Sequence, residues 1–374
     1  MSIMKTLILY LDALGFDFIN EENTPFLYKY GKNNSLIKLK TLLGYTGIEN
    51  AFITGKTPNE TGIWTEFIYE KNNLGYLLKF IPLPNSALSY IYALTSYLKG
   101  YTFLSKLHNI PRKYFNKFNS SIKEGLWKRD YFQNKTFVYY GWPFFVVNNK
   151  INLDFIKRND DYKVKKFINS FNENIDLYFI HTVDLDKTMH EFGTKHENSI
   201  KEIKKQDYYA SLIVDEFQSK FKDSRIIIWS DHGFKDIKNF VNIKELVKKY
   251  KNTDYFLDST LARFWFKDLK EKENLIKDLN RIPNGHILNL NEKSKYNIPL
   301  GKEYGEVIFA VDSGCLILPN FYQGFKPVKG MHGYMPDKAD IDAFFIINKK
   351  INKKVLNMHE VLPFLENADI QLYR

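Results

Sequence analysis

Carboxylates and imidazoles recur in this chain at ligand-like spacings. Asp186-Lys-Thr-Met-His190 sets one of each four residues apart, on one face if the segment is helical. Asp231 and His232 are adjacent, His332 precedes Gly333, and Asp12 closes an apolar run that starts at Thr6. Oxygen and imidazole donors without thiolate suit Zn²⁺ or Mn²⁺ better than Mg²⁺ or Ca²⁺. Three Asp and three His are enough for two three-ligand sites, each with room for a substrate or nucleophile oxygen. One such histidine alone is more often structural. Six ligand-type residues, each near a strand end or a glycine, point to metal chemistry. A further element is Gly44-Tyr45-Thr46-Gly47, followed by a stretch that reads as a short helix ending near Gly55. A hydroxyl at a helix N-terminus can approach a phosphate held by backbone N–H groups, although a threonine in such a turn is commonly only a cap.

The elements that must position these residues are visible as apolar runs. The apolar runs starting at Thr6, Asp176 and Arg225 lead into Asp12, into Asp184 and Asp186, and into Asp231-His232-Gly233, and Ile341–Asn348 follows the His332-Gly333 pair. Continuous apolar runs of this length suit strands buried on both faces. Helical patterns separate them, notably Ser199–Phe221 and Lys354–Glu366, so the fold class is α/β. Ligands of open α/β sheets collect at the carboxyl ends of strands, where Asp12, Asp186 and Asp231 fall. The expected core is 1–71, 170–254 and 324–374. Residues 72–169, rich in Tyr, Phe, Lys and Asn, read as a mostly helical cap. Residues 255–323 read as a small α/β insertion with a strand at Leu261–Phe266, a helix at Leu269–Leu279 and a strand pair within Glu306–Leu318.

At 374 residues the chain is long enough for two domains or one large domain with insertions. Its ordinary apolar and charged fractions exclude disorder and collagen. The net charge of +11 suits an anionic partner without choosing one. Cys315 is the only cysteine, which excludes an internal disulfide and favours a reducing compartment. The run at Thr6–Leu11 lacks a cleavage site, and Phe80–Leu98 is broken by Pro82 and Pro84, so neither reads as a signal peptide or a membrane span. The expectation is a soluble cytoplasmic protein, with peripheral membrane association left open.

The motifs in this order resemble the alkaline phosphatase superfamily and are most similar to its nucleotide pyrophosphatase/phosphodiesterase branch. They are Asp12, Gly44-Tyr45-Thr46, Thr54-Gly-Lys-Thr-Pro-Asn-Glu-Thr-Gly62-Ile63, Asp186-x-x-x-His190-x-x-Gly193, Ser230-Asp-His-Gly233 and Met331-His-Gly-Tyr334. The resemblance covers roughly 5–67, 176–233 and 325–348, and it implies a three-layer sandwich around a central, mostly parallel sheet. Carried over by position, Asp186, His190 and His332 correspond to the ligands of one metal, and Asp12, Asp231 and His232 to those of a second. Two divalent ions, zinc before manganese, are thus implied, with Thr46 as nucleophile of a phosphodiesterase or pyrophosphatase that passes through a phosphothreonine. Glu66 and Tyr334 are candidate substrate contacts.

Two departures from the pattern stand out. Thr46 lies one residue closer to Thr54-Gly55 than usual, which makes Tyr45 a rival nucleophile. Thr61 stands where a histidine is expected before Gly62-Ile63, and Glu66 where an asparagine is expected to hold a phosphoryl oxygen; an ionised carboxylate cannot donate to that oxygen. The expected partner is an anionic phosphoester such as a nucleotide, a nucleotide-sugar or a lipid headgroup; no protein partner is readable. A phosphomonoesterase or phosphomutase of the same superfamily is one alternative. A basic nucleic-acid-binding protein with vestigial metal sites is another, supported by no binding motif. A sulfatase is excluded, because neither Cys315 nor Thr46 lies in a Cys-x-Pro-x-Arg context.

Overall fold

The computed structural model describes residues 4–98, 109–121, 137–140 and 159–367. Seven strands build the central sheet: β1 (Thr6–Leu11), β2 (Ser35–Lys40), β3 (Phe137–Tyr140), β4 (Leu177–Thr182), β5 (Arg225–Trp229), β6 (Ala343–Ile347) and β7 (Val355–Asn357). Their spatial order is β7-β2-β6-β5-β1-β4-β3. β5, β1, β4 and β3 run parallel, whereas β6 is antiparallel to both β5 and β2. The sheet is therefore mixed, with a parallel block that contains every strand ending in a candidate ligand.

The unbroken apolar runs are explained by burial on two faces. Leu7, Leu9 and Leu11 pack with Ile226, Ile228 and the long helix Glu197–Lys220 on one side. Ile8 and Tyr10 pack with Ile227, Trp229 and Phe52 of the helix Ile48–Thr54 on the other. The period-2 alternation of a strand puts neighbours on opposite faces, so both neighbours must be apolar when helices cover both. That makes three layers. β2 differs: Ser-Leu-Ile-Lys-Leu-Lys alternates buried and half-buried positions, so it forms no continuous apolar run.

The structure revises several expected boundaries. Lys354–Glu366 is not one helix. Val355–Asn357 extends the sheet edge beside β2, and Asn357 with Glu360 forms a capping box that opens a 3-10 turn at Met358–Glu360, from which the α-helix continues at Val361. The two strands within Glu306–Leu318 do not pair with each other. Val307–Val311 joins the insertion's sheet, whereas Cys315–Ile317 runs beside Asn239–Val241 of the core. Part of the 72–169 cap lies outside the described residues. Its described portion is helical at Asn73–Leu78 and Asn85–Leu98, but β3 belongs to the central sheet and the helix Asp160–Ile168 packs in the core below it. The insertion after residue 254 is antiparallel, in the order Thr253–Leu257, Leu261–Phe266, Val307–Val311 and Gly285–Ile287, with the helix Leu269–Leu279 beside it.

Candidate metal centre and nucleophile turn

Three neighbouring parallel strands deliver their acids to one edge. Asp12 follows β1, and its N–H donates to Thr182 O at 3.2 Å, prolonging the register with β4. Asp231 follows β5, and its Oδ1 accepts from Ala13 N at 3.1 Å. After β4 the chain turns into the helix Asp184–Phe192, which places Asp186 and His190 one turn apart. That turn is braced by buried Asp160, whose carboxylate accepts from Val183 N, Asp184 N, Lys163 Nζ at 2.7 Å and Gln206 Nε2. Asp160, Asp184 and Glu202 lie close enough together to suggest a further cation site. The Lys163 ammonium and these N–H donors already satisfy Asp160, so we read the cluster as the support of the Asp186 helix.

The six expected ligands converge. His190 Nε2 and His332 Nε2 lie 3.5 and 3.7 Å from the same oxygen, Asp186 Oδ1, which has no hydrogen-bond partner although it is buried. His232 Nε2 lies 3.0 Å from Asp231 Oδ2 and 3.8 Å from Asp12 Oδ1. In the tightest groupings His232 is shared, once with Asp186 and His332 and once with Asp12 and Asp231. The His232 and His332 rings stack at 3.6 Å. His190 Nδ1 faces Gly330 O at 3.0 Å and His232 Nδ1 faces Gly233 O at 3.2 Å. Each of these carbonyls must receive the Nδ1 proton, so the Nε2 atoms are the ones turned towards the carboxylates.

A neutral imidazole with its proton on Nδ1 points an Nε2 lone pair at carboxylate oxygens. That arrangement is repulsive unless a proton or a cation lies between them. Burial, and then Asp231 and Asp186, push the Asp12 carboxyl well above the usual range. Burial opposes charge on His232, but Asp231 overrides it and raises the imidazole. His332 is pushed well down by burial and by the two neighbouring imidazoles. Clustered acids, facing imidazole lone pairs and an orphaned buried oxygen together fit a site for divalent cations.

Thr46 lies in the turn just before the Ile48–Thr54 helix, half-buried. Gly44 N donates to Gly333 O at 3.2 Å, which ties this turn to the His332 loop. Gly47 has φ +94°, and a Cβ there would meet Ile63 O at 2.2 Å, so only glycine fits. Tyr45 is engaged elsewhere. Its hydroxyl is 2.8 Å from Thr260 Oγ1, and Thr260 gives its own hydrogen to Gly333 O. Tyr45 must therefore be the donor, and burial followed by Asp258 pushes its phenol up, the opposite of what a nucleophile needs.

Of the two expected substrate contacts, Glu66 lies half-buried beside Thr65, with its charge felt by Tyr322. Tyr334 is corrected. It is 1% exposed and its hydroxyl donates to Cys315 O, so it is a core residue. Two residues near the ligands went unread in the sequence. His181 on β4 places Nε2 2.9 Å from Asp12 Oδ2 and stacks on Tyr10 at 3.9 Å. Glu49, three residues after Thr46, accepts from Tyr10 at 3.2 Å, and burial with Asp231 raises its carboxyl to about 7. A histidine inside an otherwise apolar strand was the available signal for His181, since the parallel register sets it opposite Tyr10, two residues before Asp12.

Among solved structures, the fold resembles murine ectonucleotide pyrophosphatase/phosphodiesterase 5, in an inactive Thr-to-Ala form in complex with AMP. The TM-score is 0.70 at 15% identity, covering 99% of this chain and 96% of that one. The human ectonucleotide pyrophosphatase/phosphodiesterase 5 gives a TM-score of 0.69 at 16% identity, over 98% and 94% of the two chains. No curated protein sequence matches the chain. The type I phosphodiesterase/nucleotide pyrophosphatase family model matches residues 6–335. The chain, with its mixed sheet and its acids and imidazoles gathered at one edge, belongs to the type I phosphodiesterase/nucleotide pyrophosphatase family.

Proposed function

We propose that the protein hydrolyses phosphodiester or pyrophosphate bonds of an anionic phosphoester, with Thr46 as nucleophile. Asp186, His190 and His332 would hold one divalent ion, and Asp12, Asp231 and His232 a second, zinc before manganese. The observation that carries this reading is the convergence of all six side chains at one sheet edge, with the Thr46 turn bonded to the His332 loop. The murine neighbour, made inactive by a Thr-to-Ala change and bound to AMP, supports a threonine nucleophile and a nucleotide-type substrate.

Bound divalent ions supply charge neutralisation and lower the pKa of a nearby hydroxyl. The chain's own contribution is orientation. The tie from Gly44 to Gly333 and the αL turn at Gly47 fix the backbone on either side of Thr46. Attack forms a bond from Thr46 Oγ1 to phosphorus as the bond to the leaving oxygen breaks, giving a phosphothreonine. Water then attacks phosphorus and returns the threonine hydroxyl. Arg263 does not present itself to substrate. It is fully buried, with Nε on Asp258 and Nη1 on Thr65 Oγ1 and Phe67 O.

Thr46→Ala should lower kcat on bis-p-nitrophenyl phosphate by roughly three orders of magnitude or more, with metal content and melting temperature unchanged. Thr46→Ser should keep a measurable part. A Thr46→Ala protein that works near the wild-type rate, beside an inactive Tyr45→Phe, would move the nucleophile to Tyr45.

A further inference from the structure

Residues 71–123 contain eight Lys and Arg and no Asp or Glu, so this stretch holds most of the chain's net charge of +11. Its described part also carries a strip of exposed apolar side chains. Leu77 is 64% exposed, Phe80 66% and Tyr90 71%, and Tyr76, Leu83 and Leu94 are exposed as well. Tyr76 and Phe80 meet edge to face at 5.3 Å. Single exposed apolar residues are ordinary, but Tyr76, Leu77, Phe80 and Leu83, exposed within eight residues, mark an interaction surface.

The strip is held in place from behind. Arg112 donates from Nε to Asn85 Oδ1 at 2.9 Å, from Nη1 to Ile81 O at 3.3 Å and from Nη2 to Leu83 O. The backbone of the Phe80–Pro84 tip is thus fixed, with Phe80 and Leu83 outward and Ile81 packed on the core. Lys79 Nζ lies over the Phe80 ring, and exposed Lys71 and Lys113 belong to the same acid-poor segment, Lys113 next to the Arg112 that holds the tip.

We infer that this face docks on an anionic lipid surface, inserting Leu77, Phe80 and Leu83 between headgroups that Lys71, Lys79 and Lys113 pair with. The charge pattern selects this occupant. A second copy in a two-fold pair would set one lysine-bearing segment against another, with no Asp or Glu in residues 71–123 to pair with it. A nucleic acid would match the lysines but leave the aliphatic side chains against phosphates. A bilayer interface takes both, and apolar insertion together with a basic patch is the combination that gives stable peripheral binding. Among the described residues no helix is long and apolar enough to cross a membrane, so the contact is with the surface. The inference does not depend on the identity of the nucleophile.

The test is flotation of the full chain with vesicles of phosphatidylcholine alone or with roughly a third phosphatidylglycerol. Binding is expected only with the anionic vesicles and should weaken steeply with salt. Lys71→Gln, Lys79→Gln and Lys113→Gln should each lower partitioning about fivefold. Leu77→Ser with Phe80→Ser should lower it tenfold or more, with the melting temperature and hydrolysis of a soluble diester unchanged. No flotation with anionic vesicles would overturn the proposal, as would flotation indifferent to these substitutions. A fall in melting temperature of the Ser variant would show that the chain itself covers the strip. A dimer in sedimentation that the Ser variant dissociates would show a second copy there instead.

Discussion

His181→Phe isolates one hydrogen bond at the metal centre. The phenyl ring can keep the stack on Tyr10, which lies 3.9 Å away at an interplanar angle of 8°, inside a column that continues through Trp229 to Phe52. What it removes is the contact from His181 Nε2 to Asp12 Oδ2 at 2.9 Å. Burial, reinforced by Lys163, lowers the His181 pKa to about 3, so the imidazole is neutral near pH 7. Asp12 must be ionised to act as a ligand, and the imidazole is then the donor. A hydrogen bond to a buried charged group is worth about 1.5–3 kcal/mol, which corresponds to roughly a 10–100-fold loss of affinity for the ion that Asp12 holds. Losses of that size are usual when a partner of a ligand is removed. The Asp186, His190 and His332 set has no contact with His181, so its ion should bind as before. Chelator-competition titration with zinc should therefore show one weakened phase and one unchanged phase. His181→Gln restores an N–H at about the same reach and should recover most of the loss. Equal weakening of both phases, or His181→Gln as poor as His181→Phe, would refute a role in positioning Asp12.

Diesters should be preferred over monoesters. If Glu66 faces the phosphoryl group as proposed, it would repel a second charge there; Arg263 is buried, and Lys56 lies beyond the far end of the Ile48–Thr54 helix. The expected outcome is a higher kcat/KM on bis-p-nitrophenyl phosphate than on p-nitrophenyl phosphate, with Glu66→Gln narrowing the gap; equal efficiencies in the wild type would count against it. Asp258 predicts a pH dependence of stability. Burial raises its carboxyl from 3.8 to about 6, although Arg263 pulls the other way. A raised folded-state pKa contributes stability that is complete below the unfolded value and is lost as pH rises through about 6. Between pH 4 and 7 the wild type should thus lose roughly 2 kcal/mol relative to Asp258→Asn. Denaturant unfolding curves of the two proteins that stay parallel across this range would show that the carboxyl is not perturbed.

The sequence displays most readily what must be apolar on two faces. β1, β4, β5 and β6 are readable because helices cover both sides of the sheet, and the ligands are readable because they follow those strands at ligand spacings. β2 is hidden because Lys38 and Lys40 are only half-buried near the sheet edge, where they pair with Asp342. Tyr334 is misjudged because a motif tyrosine beside a ligand histidine looks like a substrate contact, while its hydroxyl bonds the Cys315 carbonyl and the ring is buried. His181 and Asp160 act through residues that are distant in sequence, and no local spacing announces such a contact. Only the register between β1 and β4, and the return of the Asp160–Ile168 helix beneath them, bring these side chains to the ligands.

The insertion after residue 254 is more than an appendage to this machinery. Arg263 on its second strand reaches Thr65 and Phe67, the residues on either side of Glu66. Thr260, just before that strand, bonds both Tyr45 and Gly333, the neighbours of Thr46 and His332. Three loops from different parts of the chain thus rest on one short stretch of a separate antiparallel sheet. Phe256 and Trp265 lie against the Arg263 guanidinium, and Asp258 supplies its counter-charge. A buried cation held on four sides cannot easily move, and the loops it anchors inherit that rigidity. Placing a nucleophile against a metal centre requires positional tolerance of about half an ångström. The central sheet fixes the ligands within such a limit through strand register. The nucleophile turn and the His332 loop are not strands, and it is the small sheet that supplies their common support.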